Sequence, residues 1–333
     1  MAKINVGING FGRIGRMVAR SIFKYHKDEI NIVGINDLTD AKSLAYLFKH
    51  DSVHGLYEGS VKASEDAITI DGVKIGVSSE KDPTNLKWDK RGADIVVEST
   101  GFFRTRSDAE KHIEAGAKKV IISAPAKGGE VSTVVLGVND DAISDDVNVY
   151  SNASCTTNCL APMVHVLDQA FGLEKGLMTT IHAYTSSQNI IDGPHSDLRR
   201  GRTAAHNLVP TTTGAAKAVG LVLPHLDGKL DGSAVRVPVP DGSITDLTAV
   251  LEQEVTNDEV INAFKNAATG DMKGILQYSE DELASTDILG NPHSCIFDSK
   301  MTTVDGNLVK IFAWYDNEAG YSARTADLIT RIA

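Results

Sequence analysis

Two hydrophobic periods alternate along the first half of the chain. Residues 4–10, INVGING, put apolar side chains at every second position, the period of a strand. Ile14, Met17, Val18, Ile22 and Tyr25 follow at i, i+3, i+4, i+8 and i+11, one face of a helix. Residues 30–37, INIVGIND, predict a second strand ending at Asp37, 22 residues after Gly15. ADIVVESTG at 93–101 reads as a buried strand that ends in small residues. Residues 107–110, SDAE, have capping-box spacing and predict a helix that stops near Gly116. KKVIISAPA at 118–126 and VSTVVLGVN at 131–139 predict two more strands, and NVYSNAS at 148–154 leads into Cys155. Strands alternating with helices predict a mostly parallel sheet covered on both faces.

The style changes after about Gly172. GLMTTIHAYT (176–185), SAVRVPVP (233–240), SITDLTAVLEQEV (243–255) and NLVKIFAWYDN (307–317) predict long alternating strands. TNDE at 256–259 opens a helix running through Phe264. Between the first two strands lies an Arg-rich polar segment, 186–210, with weak periodicity; loops of that length are usually functional or interfacial. Residues 318–333 have a helical period. The expected fold is α/β: a Rossmann-type doubly wound parallel sheet over 1–153, then an α+β domain with a mostly antiparallel sheet over 154–316.

Composition narrows the function classes. The 333 residues carry a formal charge of −11, which disfavours general binding of nucleic acid or anionic membranes, so an anionic ligand needs a local cluster of cations. No run of about 18 apolar residues predicts a membrane span. The first residues lack a signal-peptide apolar core, and three cysteines are too few and too odd in number for a secreted disulfide framework. A reducing cytoplasm is the expected compartment.

Gly10, Gly12 and Gly15 fit G-x-G-x-x-G, a weak signal alone that gains force from the strand before it, the helix after it and Asp37 downstream. In that context Gly10 allows a tight turn, Gly12 lets backbone approach a pyrophosphate, and Gly15 lets helix pack on strand. The free N–H groups of the helix start face the phosphates. Asp37 accepts from ribose hydroxyls and repels a 2′-phosphate, which favours NAD over NADP. The alternative is a glycine turn in an ordinary βαβ unit. Ser99, Thr100, Gly101 and Ser123 lie at C-terminal strand ends, where ligands bind in such sheets, or are loop residues only.

SNASCTTNCLAP at 151–162 holds Cys155 and Cys159. On one helix their Cβ atoms would be about 5–6 Å apart, too far for a disulfide. No second Cys/His pair with finger-like spacing predicts zinc, so no metal is expected. Cys155 at a helix N-terminus would be a stabilised thiolate nucleophile; a buried structural cysteine is the plainer reading. Pro162 predicts a kink in that helix. Cys159 and Cys295 read as inert core. His182, on an apolar strand, is either the base such a thiolate wants or a satisfied core histidine.

SNASCTTNCLAP, INGFGRIGR, HAYT, PTTTGAAKAV and WYDNE, found along essentially the whole chain, resemble phosphorylating glyceraldehyde-3-phosphate dehydrogenases of the bacterial and eukaryotic type. The resemblance implies NAD as cofactor, with Cys155 as nucleophile and His182 as base. It implies that Thr185 and Arg236 hold the C3 phosphate of the substrate, and that Ser154, Thr156, Arg200, Thr213 and Gly214 form an inorganic-phosphate site. Arg13, Ile14, Asp37, Lys81, Ser123 and Asn317 match cofactor-contacting positions, beside Gly10, Gly12, Gly15 and Thr100. Lys81 stands where the family often has Arg, and Gly193 precedes Pro194 where a Leu is common. The resemblance further implies a homotetramer, with the 186–210 loop at a neighbour's cofactor pocket and the C-terminal helix, 317–333, packed on the first domain. Rival readings are erythrose-4-phosphate dehydrogenase, which ends in hydrolysis, a Cys/His thiol hydrolase without a redox step, and a catalytically silent interaction protein of this fold.

Overall fold

The computed structural model describes residues 2–128 and 130–333. The chain divides into two compact units: Met1–Val134, Asp141–Ala153 and Ser322–Ala333 form the first, Val135–Asp140 and Ser154–Tyr321 the second.

The first unit opens with β1 (Ile4–Asn9), α1 (Arg13–Tyr25), β2 (Ile30–Asn36) and α2 (Ala41–Lys49). Three strands follow, β3 (Val61–Ala63), β4 (Ala67–Ile70) and β5 (Val73–Ser78), then α3 (Trp88–Arg91) and β6 (Ile95–Glu98). The unit continues with α4 (Arg106–Glu114), β7 (Lys119–Ile122), β8 (Ser132–Thr133) and β9 (Val149–Ser151). Its nine-stranded sheet has the order β3-β4-β5-β2-β1-β6-β7-β9-β8. The pairs from β5 to β8 are parallel, and β3 and β4 add an antiparallel edge. The strand order reverses beside β1, the switch point where ligands bind in doubly wound sheets.

Alternation and helical period locate the central elements because each buries one clean face: Val6 and Ile8 of β1 and Val18 and Ile22 of α1 are almost fully buried. Three details differ. The helix after β6 is capped by Thr105, which forms a capping box with Asp108, two residues before the expected start. Glu110 of the predicted box instead pairs with Arg106 one turn away. Residues 131–139 yield only the two-residue β8, since Val134, Val135 and Leu136 are buried in irregular chain and their apolar character reflects burial without pairing. The β3–β4–β5 edge carries little signal in the sequence, because its strands are short and lie between Gly, Ser and Asp turns.

The second unit begins with α5 (Cys155–Phe171) and β10 (Leu173–Ala183). It continues through β11 (Val209–Thr212), α6 (Ala215–Val222), β12 (Leu230–Val237), β13 (Ser243–Leu251) and α7 (Asn257–Thr269). It closes with β14 (Leu276–Ser279), β15 (Cys295–Asp305) and β16 (Leu308–Tyr315). The seven strands have the order β11-β12-β10-β13-β16-β15-β14, antiparallel except for β10–β12 and β14–β15. Pro162 does not split α5. A proline inside a helix costs about 3 kcal/mol, but Leu160, Met163, Val164 and Leu167 around it are fully buried, each such large side chain contributing about 1.5–3 kcal/mol. Helix α7 has the expected Thr256–Glu259 box and runs on to Thr269. The last helix, α8 (Ala319–Ile332), starts in the second unit; from Ser322 onward it belongs to the first, where Asn152 Nδ2 donates to Thr325 Oγ1 at 2.9 Å.

Gly15 shows how tightly the Gly-rich turn packs. A Cβ there would lie 2.1 Å from the Gly10 carbonyl oxygen. Gly10 itself turns at φ 87°. Gly15→Ala is expected to destabilise the first unit by about 2 kcal/mol or more through overpacking, read as a lowered unfolding midpoint in thermal or urea melts.

Candidate active site

Ala153 follows β9 in the left-handed region, φ 52°, an unusual conformation for a residue with a Cβ. It re-aims the chain so that Ser154 caps α5, its Oγ accepting from the Thr157 N–H at 3.0 Å. Cys155 is thereby the first helical residue, where free N–H groups and the helix dipole favour a thiolate. Cys159, one turn on, is fully buried, and Cys295 is a buried strand residue; all three cysteines are free.

His182 lies near the end of β10, and the β10–β12 register sets it directly beside Arg236. Its Nε2 is 3.5 Å from Cys155 Sγ. Its Nδ1 is 2.6 Å from the Ala183 carbonyl oxygen. Arg236 Nη1 lies farther from Nδ1, at 3.2 Å, so the closer carbonyl, which only accepts, assigns the proton to Nδ1 and leaves the Nε2 lone pair facing sulfur. The ring packs edge-on against Tyr315, centroids 5.9 Å apart. Tyr315 is buried, its hydroxyl 2.9 Å from Thr156 Oγ1 and 2.7 Å from Thr180 Oγ1. WYDNE contains this tyrosine, but only the fold shows that it braces the base.

Burial pushes the Cys155 thiol up, to about 11, against the pull of the Arg236 guanidinium. Burial, with the Arg236 charge behind it, pushes the His182 imidazole down, to about 3. Alone, each group favours its neutral form. Together they offer a path: the proton leaving Sγ has Nε2 as its acceptor. Opposite charges at that spacing attract by about 5 kcal/mol at an effective dielectric near 20, which offsets part of both burial costs.

Arg236 is mostly buried. Its Nη1 donates to the Ala183 carbonyl at 2.9 Å and to Thr185 Oγ1 at 3.3 Å, while its Nε has no hydrogen-bond partner among the described residues. Its pKa is lowered by burial and then by the nearby Arg200 charge. Two guanidinium groups that repel each other are what an anion relieves. Arg200 is aimed by Nε donating to Thr211 Oγ1 at 3.0 Å and Nη2 to the Thr212 carbonyl at 3.3 Å, with Asp197 Oδ2 3.6 Å from Nε. Thr213 Oγ1 accepts from the Ala215 N–H, and Gly214 caps α6 with open space where a Cβ would stand. The Thr156 hydroxyl lies 2.9 Å from the Tyr315 hydroxyl, and its backbone opens α5 beside Cys155. Asp197 and Thr211, which brace Arg200, carry no signal in the sequence. The long loop is knit to itself, with Asp192 receiving Arg202 Nε and the Thr203 N–H.

In the first unit a cavity of about 320 Å³ is lined by residues including Gly10, Gly12, Asp37, Lys81, Thr100 and Phe102. A Cβ on Gly12 would meet nothing within 4 Å, so the backbone there is open to a ligand. Asp37 Oδ2 accepts from the Phe11 N–H at 2.7 Å, which ties the carboxylate to the Gly-rich turn while leaving lone pairs at the cavity. These features fit a dinucleotide. The Arg13 guanidinium is engaged by Asp51 at 2.6 Å. Ile14 is half-buried in the first turn of α1, and Ser123 is half-buried just past β7. Asn317 falls in the second unit, its Oδ1 accepting from Ser243 Oγ at 2.6 Å.

Comparison with known proteins agrees with this geometry. Residues 4–106 match the NAD binding domain of glyceraldehyde 3-phosphate dehydrogenase, and residues 154–317 match its C-terminal domain. The chain is 58% identical over 329 residues to a glyceraldehyde-3-phosphate dehydrogenase of Streptomyces coelicolor, covering 98% of this chain and 97% of that protein. It is 56% identical to one from Priestia megaterium and 55% identical to glyceraldehyde-3-phosphate dehydrogenase 1 of Bacillus subtilis, each over 332 residues covering 99% of this chain and 98% of the relative. With both of its domain types matched and near-complete coverage, the chain belongs to the glyceraldehyde-3-phosphate dehydrogenase family.

Proposed function

We propose that this chain catalyses the NAD-dependent oxidation and phosphorylation of glyceraldehyde 3-phosphate to 1,3-bisphosphoglycerate. The observation that carries the reading is the 3.5 Å contact from Cys155 Sγ to an Nε2 whose lone pair is freed by the Nδ1–Ala183 hydrogen bond. Sulfur attacks the aldehyde carbon as its proton passes to His182 Nε2, which hands it to the carbonyl oxygen to give the hydroxyl of a thiohemiacetal. The carbon–hydrogen bond then breaks with both electrons leaving as hydride, while Nε2 removes the hydroxyl proton and a thioester remains on Cys155. Bound NAD supplies the hydride acceptor. A phosphate oxygen next attacks the thioester carbon, the carbon–sulfur bond breaks, and Cys155 leaves as thiolate beside His182.

Gly10, Gly12, Asp37, Lys81 and Thr100 would hold the dinucleotide. The open Gly12 backbone suits the pyrophosphate, and the Asp37 carboxylate suits the ribose hydroxyls and repels a 2′-phosphate. Arg236, with its unpartnered Nε, and Thr185 suit the substrate's C3 phosphate. Arg200, Thr213 and Gly214, with the Ser154 and Thr156 backbone at the start of α5, suit inorganic phosphate. A homotetramer is supported by Leu177, Met301 and Leu308, apolar side chains left exposed on strands of the second sheet. A cytoplasmic location accords with three free thiols. No helix among the described residues is long and apolar enough to cross a membrane.

NADH formation from glyceraldehyde 3-phosphate should depend on added phosphate. Oxidation that proceeds equally well without phosphate, and faster on erythrose 4-phosphate, would assign the hydrolytic relative instead. His182→Asn should slow iodoacetamide alkylation of Cys155 at neutral pH at least tenfold. Alkylation needs thiolate, so removing the proton acceptor should also move the ascending limb of the rate–pH profile to higher pH, toward the burial-raised thiol. Gly12→Ala should leave the melting point nearly unchanged, in contrast to Gly15→Ala, yet weaken NAD binding by tenfold or more in calorimetric titration.

A further inference from the structure

One rung of the first sheet carries polar side chains across four neighbouring strands. Ser78 pairs with Asn36, Asn36 with Asn9, and Asn9 with Glu98 in the strand register. Their side chains are hydrogen-bonded along the same row. Ser78 Oγ donates to Asn36 Oδ1 at 3.0 Å, Asn36 Nδ2 to Asn9 Oδ1 at 2.8 Å, and Asn9 Nδ2 to Glu98 Oε2 at 2.5 Å. The row continues away from the cavity: His112 Nε2 lies 3.1 Å from Glu98 Oε2, and Trp88 Nε1–H donates to His112 Nδ1 at 3.1 Å. Trp88, Glu98, His112 and Asn9 are all essentially inaccessible to solvent.

The row has a direction. The Trp88 N–H occupies the His112 Nδ1 lone pair, so the ring proton sits on Nε2 and points at Glu98. Glu98 is an acceptor for four donors: His112 Nε2–H, the Asn9 amide, the Thr100 N–H at 2.8 Å, and the Thr100 hydroxyl. At the far end Asn36 takes both the N–H and the carbonyl of Glu80 at 2.9 Å. Asn9, Asn36, Glu80 and Thr100 all line the dinucleotide cavity; Glu98, His112 and Trp88 sit behind it.

We propose that Glu98, with His112 and Trp88 behind it, is a set of positioning residues for the dinucleotide: the row fixes the two chain segments, around Glu80 and Thr100, that face the ligand across the cavity. The proposal rests on reading that cavity as the NAD site. Such a row is strong only while every donor meets an acceptor. Glu98→Gln turns one acceptor into a donor that must face another donor, whichever way the amide is flipped. Trp88→Phe keeps an aromatic ring in place but releases His112 Nδ1, so the tautomer with a lone pair aimed at Glu98 becomes available.

The test measures NAD affinity by calorimetry in the full-length protein, with melting points, steady-state kinetics and Cys155 alkylation alongside. Glu98→Gln should raise the NAD Kd at least tenfold and Trp88→Phe at least threefold. KM for NAD should rise in parallel, while kcat at saturating NAD, KM for the aldehyde and the alkylation rate stay within twofold. If Glu98→Gln does not fold, Trp88→Phe alone decides. Folded variants that bind NAD within twofold of wild type overturn the proposal, however far their melting points fall. A wild-type chain that binds no NAD overturns the functional reading itself, a result distinguishable from this one.

Discussion

A proton leaving the Cys155 sulfur has a basic acceptor in the His182 Nε2 lone pair 3.5 Å away. Much of the second unit exists to make that true. Ser154 caps the helix that starts at Cys155. The Ala183 carbonyl holds the imidazole in the tautomer that leaves Nε2 free. Tyr315, braced by Thr156 and Thr180, supports the ring from behind. Burial opposes charge on both groups, so the contact matters more than either residue: the pair can share a proton that neither releases readily alone.

The proposed anion site uses the same register. The strand pairing that sets Arg236 beside His182 puts a desolvated guanidinium next to the base and lowers its proton affinity. Arg200 is held to one side by Thr211 and Asp197. An acidic chain thus concentrates two cations beside its candidate nucleophile, and leaves part of Arg236 without a protein partner among the described residues. The first unit handles its buried polar groups in the opposite way. The row from Ser78 to Trp88 is saturated, and its cavity end forms walls of the cavity proposed as the dinucleotide site.

The alternation of INVGIN and INIVGIN was legible as strands because each strand presents its apolar residues to packed layers. The Gly-rich turn was legible because Gly10 and Gly15 are forced by contact, while Gly12 stands open. Residues 131–139 were misleading, since burial in irregular chain selects the same side chains as burial in a strand. The α4 cap falls at Thr105 and not at Ser107 because both positions offer a hydroxyl three residues before an acid, and local sequence does not choose between them. Cys155 and His182 stood out by type and setting, whereas the contact of Thr156 with Tyr315 is visible only in the fold.

By itself the sequence determined the class of fold, the Gly-rich turn with Asp37, the helix start at Cys155 and the family, because these rest on short-range periods and on motifs whose spacing is their meaning. It did not determine which side chains would meet. The pairing of His182 with Arg236, the Thr211 brace on Arg200, and the row that runs from Asn36 to Trp88 join residues from 11 to 89 positions apart. Such contacts are set by strand register and helix packing, which a linear pattern constrains only one element at a time.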